Sequence, residues 1–264
     1  MEAPHHHHLT QPPAIVAPMI PTPGDGLVFH GPLSEARAAS LITRLTAEPR
    51  PRTILDLGCG RGELMLRLLS ALPDATGTGV DLHAPDLAAG AATASARGLG
   101  DRVRFLEESA TNTEHGPADL VLCLGSSHAL TDLEPPAHTA AALVALRALV
   151  NPGGRVLLGE SHWTRTPTLD ELAHMWPDAS ASEHGYLADL TDAAVAAGFR
   201  VQWVETATLD EWDAFESAYL AACEVWLASN EDEKLRERVT TQRSRYLRGY
   251  RGVMGQAYLT LVAG

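Results

Sequence analysis

Thr53-Ile-Leu-Asp-Leu57 is a short apolar strand that runs directly into Gly58-Cys-Gly-Arg-Gly-Glu63. Three glycines in five residues let the backbone turn tightly and approach a ligand closely. A helix predicted over Glu63 to Leu72, with Leu64, Leu68 and Leu72 on one face, starts at once and offers unpaired N–H groups. Strand, glycine turn and helix in this order open a β-α-β unit, whose next strand lies parallel by a right-handed crossover.

The alternation continues. Strands are predicted at Ala75 to Val80, Arg102 to Leu106, Leu120 to Leu124, Arg155 to Gly159 and Phe199 to Glu205. Helices are predicted at Pro85 to Arg97, Thr139 to Val150 and Leu187 to Ala197, with Ser34 capping an earlier one. The fourth strand has no polar interruption, as expected at a sheet centre buried on both faces. The pattern is α/β: a doubly wound, mostly parallel sheet. In such a sheet the glycine turn lies at the carboxyl ends of the strands, where ligands bind.

Asp81 closes the second strand about 20 residues past the turn, where a carboxylate accepts both hydroxyls of a ribose. Gly58, Gly60 and Gly62 are spaced GxGxG, not the GxGxxG that packs a pyrophosphate. That spacing opposes a nicotinamide-dependent oxidoreductase. Asp56, two residues before the first glycine, suits a positively charged amino-acid tail better than a phosphate.

Asp56-Leu-Gly-Cys-Gly-Arg-Gly-Glu63 followed by Gly79-Val-Asp81-Leu82 resembles the first two motifs of class I S-adenosylmethionine (SAM)-dependent methyltransferases, and Asn151-Pro-Gly-Gly154 resembles that family's late turn. The resemblance implies a Rossmann-like sheet of seven strands with the last one antiparallel. The chain is expected to divide into a Pro/His-rich leader (1–30), a SAM-binding core (31–206), a helical cap insert (207–255) that departs from the family's final hairpin, and the final strand of the core (256–264). It implies that Asp56, Gly58, Cys59 and Gly60 hold the methionine part, that Asp81 binds the ribose and that Leu82 lies against the adenine. Leu124 and Gly125 flank the cofactor at the end of the fourth strand. Where the family often has Gly-Asp-Ala after the third strand, this chain has Glu108-Ser109-Ala110; either Ser109 or an inturned Glu108 contacts the adenine there. Leu124-Gly-Ser-Ser-His-Ala-Leu130, Gly159-Glu-Ser-His-Trp163, Glu211-Trp-Asp-Ala-Phe-Glu216 and Tyr246-Leu-Arg-Gly-Tyr-Arg-Gly252 also resemble a bacterial subgroup of uncharacterised small-molecule methyltransferases.

With the fourth and fifth strands beside the first, the loops at their carboxyl ends flank the transferred methyl. Gly125-Ser-Ser-His128 supplies His128 as general base, its ordinary pKa near 6.5 suiting neutral pH. Glu160 and His162, placed in a loop after the fifth strand, orient that base or bind substrate, and Trp163 walls the pocket. Ser126 and Ser127 read as turn-stabilising hydroxyls. No loop carries the aspartate pair of a magnesium-dependent enzyme, so no metal is expected.

About 50 residues separate the sixth and last strands, enough for a lid over the site. With the leader and the 163–186 loop, this insert is expected to wall a covered pocket for a small acceptor. A net charge of −13 gives no electrostatic footprint for nucleic acid and argues against docking on anionic membranes. Three unpaired cysteines, Cys59, Cys123 and Cys223, fit a reducing cytoplasm. The charged runs at 231–233 and 236–238 suit a solvated helix face or a homodimer contact. His5 to His8 are either native or a tag remnant. The competing reading is a SAM-binding protein that does not methylate.

Overall fold

The computed structural model describes residues 20–264; the His5 to His8 run lies outside them. Ser34 caps α1 (Glu35–Leu45), its hydroxyl accepting from the Arg37 N–H at 3.2 Å. Then follow β1 (Thr53–Leu57), α2 (Glu63–Ala71), β2 (Thr76–Asp81), α3 (Ala84–Ala96), β3 (Val103–Glu107) and β4 (Ala118–Leu124). A 3-10 turn (Ser127–Leu130) leads to α4 (Ala137–Leu149) and β5 (Val150–Trp163). The chain closes with α5 (Leu169–His174), α6 (Leu187–Ala196), β6 (Phe199–Thr206), α7 (Leu209–Leu227), α8 (Glu233–Ser244), a π-helical turn (Arg245–Tyr250) and β7 (Met254–Ala263).

The seven strands form one sheet in the order β3-β2-β1-β4-β5-β7-β6. All neighbours are parallel except β7, which runs antiparallel to both β5 and β6. Alternate side chains of each strand build two cores. Leu55, Leu57, Val121, Cys123, Val156 and Leu158 face α4 and α6. Ile54, Leu120, Leu122, Leu157 and Tyr258 face α1 and α2. Within α2, Leu64, Met65, Leu66, Leu68 and Leu69 are all buried; each contributes roughly 1.5–3 kcal/mol, which fixes the helix behind the glycine turn.

Two boundaries differ from the sequence-based expectation. Asn151 to Gly154 do not separate helix from strand. Ala118 pairs with Val150 and Leu120 with Arg155, so the four residues form a bulge inside β5. At its other end β5 runs on to Trp163, because β7 continues the ladder through Ser161↔Gln256, His162↔Gly255 and Trp163↔Met254.

Between β6 and β7, α7 starts in a capping box from Thr208 and Glu211. Glu211 also accepts from Arg37 (Nη2 to Oε2, 2.6 Å) and from the Ser34 hydroxyl (2.6 Å), while Arg37 Nη1 reaches Glu205 at 2.8 Å. This mostly buried network ties α1 to α7 and the end of β6. Trp163, Met175, Trp212, Tyr246, Tyr250 and Val253 pack into a separate aromatic-rich cluster. Among the described residues no helix is long and apolar enough to cross a membrane.

Candidate functional site

Gly58 turns the chain out of β1 with φ 65°, a conformation side chains disfavour, and a Cβ there would sit 2.4 Å from Ser126 Cβ. Ser126 packs so closely because its hydroxyl donates to the Leu57 carbonyl at 2.5 Å, pinning the β4 loop to the end of β1. The Gly60 N–H donates to Asp81 Oδ2 (2.8 Å), and the His83 N–H donates to Oδ1 (2.8 Å). Two backbone donors thus orient Asp81 and leave lone pairs on both oxygens for a ligand. α2 starts after Gly62 with no side-chain cap, so its first N–H groups stay available.

These elements surround a cavity of about 240 Å³ lined by Asp56, Gly58, Cys59, Gly60, Asp81, Leu124 and Gly125. Seven of the ten residues expected at a cofactor site therefore meet in one place. Asp56 is only 6% exposed. Burial, reinforced by the charge of Asp81, pushes its carboxyl up to about 7. Burial holds the Cys59 thiol protonated, far above its ordinary range.

Leu82, Ser109 and Ala110 lie outside this cavity. Leu82 is 70% exposed beside Asp81, whereas Ala110 is buried in the α4-facing core. The Ser109 hydroxyl accepts from the Thr111 N–H at 3.2 Å, and Glu108 is paired with His115 at 2.7 Å.

The acid–base candidates separate. His128 is exposed on the 3-10 turn three residues beyond Gly125. Glu160 and His162 do not occupy a loop. They are strand residues, 6% and 4% exposed, and strand alternation sends them to the α4 face together with Leu158. Asp56, Leu124 and Tyr258 belong to the other face, where the cavity opens. Burial raises the Glu160 carboxyl, opposed by the Ser127 hydroxyl and the Ser161 N–H. Burial lowers His162, and it lowers His184 to about 4 with help from His138 and His162. Trp163 belongs to the aromatic cluster under α7, its indole donating to the Ala181 carbonyl at 2.9 Å, and does not wall the cavity.

Phe29, His30, Gln256 and Tyr258 also line the cavity and were not singled out as site residues in the sequence. Phe29 and His30 cross the glycine loop as a strap, held where the Gly24 N–H donates to the Tyr219 carbonyl on α7 at 2.8 Å. The leader therefore lines the same cavity as the glycine loop, and no residue of 207–255 does so. Gln256 and Tyr258 enter from β7 at the far end. The sequence signal for this pair was a polar amide in a mostly apolar last strand.

A family model described as a methyltransferase domain matches residues 55–156. An uncharacterized protein of Escherichia coli K12, YjhP, is 29% identical over 240 residues, covering 89% of this chain and 94% of that protein. Its crystal structure superposes with a TM-score of 0.76 at 27% identity, over 89% of this chain and 95% of that one. A SAM-dependent methyltransferase from Thiobacillus denitrificans, crystallised with S-adenosylhomocysteine, gives a TM-score of 0.77 at 26% identity over 90% of this chain and 95% of that one. The demethylmenaquinone methyltransferase of Thermus thermophilus is 36% identical over 118 residues, 44% of this chain and 50% of that protein. Fold, glycine loop and these likenesses define a methyltransferase. Residues 55–156 carry the methyltransferase domain, and the fold as a whole is that of class I SAM-dependent methyltransferases.

Proposed function

We propose that the cavity beneath the strap binds SAM and that the protein transfers its methyl group to a small-molecule acceptor. The observation that carries this reading is the convergence of Asp56, the Gly58–Gly60 loop and a backbone-oriented Asp81 on one cavity. The residues suit the group. Asp81 keeps lone pairs for two ribose hydroxyls, exposed Leu82 beside it offers an apolar wall for the adenine, and buried Asp56 faces a cationic amino-acid end. SAM, when bound, supplies an electrophilic methyl on a sulfonium.

The chain's own residues then align donor and acceptor for an in-line displacement, which is chiefly a matter of positioning. Phe29 and His30 cover the cofactor side and exclude water. Among the three acid–base candidates only His128 has an open side chain, so it takes the proton of a hydroxyl or ammonium acceptor. Glu160, buried with Ser127 beside it, positions the turn that carries His128. A small acceptor is supported by the net charge of −13 and by a relative named for demethylmenaquinone. We assign 207–255 to the acceptor side as a cap, on the strength of its aromatic cluster and its contact with the strap.

Calorimetry with S-adenosylhomocysteine, and NAD as control, tests the cofactor assignment. Micromolar binding of the first and none of the second is expected; the reverse pattern, or no binding of either, overturns it. Release of S-adenosylhomocysteine from SAM in a screen of small acceptors then separates a methylating enzyme from a protein that only binds the cofactor.

A further inference from the structure

The far end of the cavity is built by β7. Gln256 and Tyr258, two residues apart, point to the same face of the sheet and are 8% and 3% exposed. Tyr258 stands opposite Gly159 on β5, and Gln256 opposite Ser161. Because Gly159 has no side chain, the Gln256 amide leans across β5 towards the end of β4. A Cβ at Gly159 would lie 3.3 Å from Gln256 Nε2 and 2.8 Å from Leu124 Cδ2. The Ser161 hydroxyl donates to Gln256 Oε1 at 3.3 Å, which turns the NH2 group the other way, towards the cavity. Among the described residues neither Gln256 Nε2 nor the Tyr258 hydroxyl has a hydrogen-bond partner, although both side chains line the cavity.

The side chains are buried but their free donors open onto the cavity, where this pair faces a buried acid. Asp56 lines the same cavity from β1, two strands from Gly159 and thus about 10 Å across the sheet. The arrangement matches an α-amino acid, with the ammonium towards Asp56 and the carboxylate towards the two β7 donors. The cations nearby are otherwise engaged. Arg61 is paired with Asp86 at 2.9 Å. Arg37 is held by Glu211 and Glu205, and lies 5.8 Å over the Tyr258 ring. His30 stands by Gly60, towards the ribose end.

We propose that Gln256 and Tyr258 bind the α-carboxylate of the cofactor's methionine end, so that neutral donors on the last strand select ligands carrying an intact amino-acid tail. This rests on the reading of the cavity as a SAM site.

The test compares S-adenosylhomocysteine with 5′-methylthioadenosine, which keeps the adenosine and sulfur but lacks the tail, by calorimetry on the full chain and its Gln256→Met and Tyr258→Phe variants. Each variant is expected to bind S-adenosylhomocysteine roughly tenfold more weakly and to keep wild-type affinity for 5′-methylthioadenosine and a wild-type unfolding midpoint. Unchanged S-adenosylhomocysteine affinity overturns the pair's role, and so does an equal loss for both ligands. Failure of the wild-type protein to bind S-adenosylhomocysteine instead removes the underlying reading of the cavity.

Discussion

Replacing Asp56 with asparagine is expected to stabilise the free protein at alkaline pH while impairing its site. The Asp56 carboxyl is raised from 3.8 to about 7 by burial, with Asp81 adding to the effect. The folded state therefore keeps a proton that the unfolded chain releases from about pH 4 upward. By linkage, wild-type stability falls as pH rises from about 4 to about 7, and the full cost is present above that. A shift of about three units corresponds to about 4 kcal/mol. Because Asp56 opens onto a cavity that admits water, about 2–4 kcal/mol is the expected range.

Asparagine is nearly isosteric and never ionises. Urea unfolding of both proteins from pH 4 to pH 8 should give stabilities that differ by a constant near pH 4, with the variant gaining 2–4 kcal/mol relative to that baseline by about pH 8. Histidines that titrate in the same range, such as His184, are common to both proteins and cancel in the difference. A difference that stays flat across the whole range refutes the buried-acid reasoning. In the same variant S-adenosylhomocysteine binding at pH 8 should weaken, because the anion that faces the ammonium is gone.

Other outcomes follow from the same geometry. Asp81→Ala should weaken S-adenosylhomocysteine binding by roughly 1–3 kcal/mol in calorimetry through the lost ribose hydrogen bonds, and unchanged affinity removes the ribose assignment. His128→Ala should leave S-adenosylhomocysteine binding intact and slow turnover roughly 10²–10⁴-fold once an acceptor is in hand; normal turnover excludes it as the base. Arg37→Ala strips one cation from Glu211 and Glu205, whose side chains are only 9% and 14% exposed. It should cost about 2–4 kcal/mol in urea unfolding, whereas a loss below 1 kcal/mol would show that the network is solvated.

The residues that could be read in order are those whose role is set by their immediate neighbours. An apolar run, a glycine turn and a helix start occupy Thr53 to Glu63 without interruption, and the backbone demands of that turn are local: Gly58 must take φ 65° whatever surrounds it. The same holds for Asp81, placed by the end of its own strand, and for Ser34, which caps the helix that follows it. Pairing between distant segments decided the rest. β5 reaches Trp163 because β7, about 90 residues later, continues its ladder. That extension turned an expected loop into a strand, and the two-residue period then assigned Glu160 and His162 to the α4 face. Gln256 and Tyr258 reach the cavity only because β7 inserts between β5 and β6 opposite a glycine. The Phe29–His30 strap meets the glycine loop through partners far along the chain, α7 holding Gly24 and Arg67 of α2 lying over Phe29. Local backbone chemistry is written in contiguous residues; which face of a sheet a side chain meets depends on partners that the chain brings together only on folding.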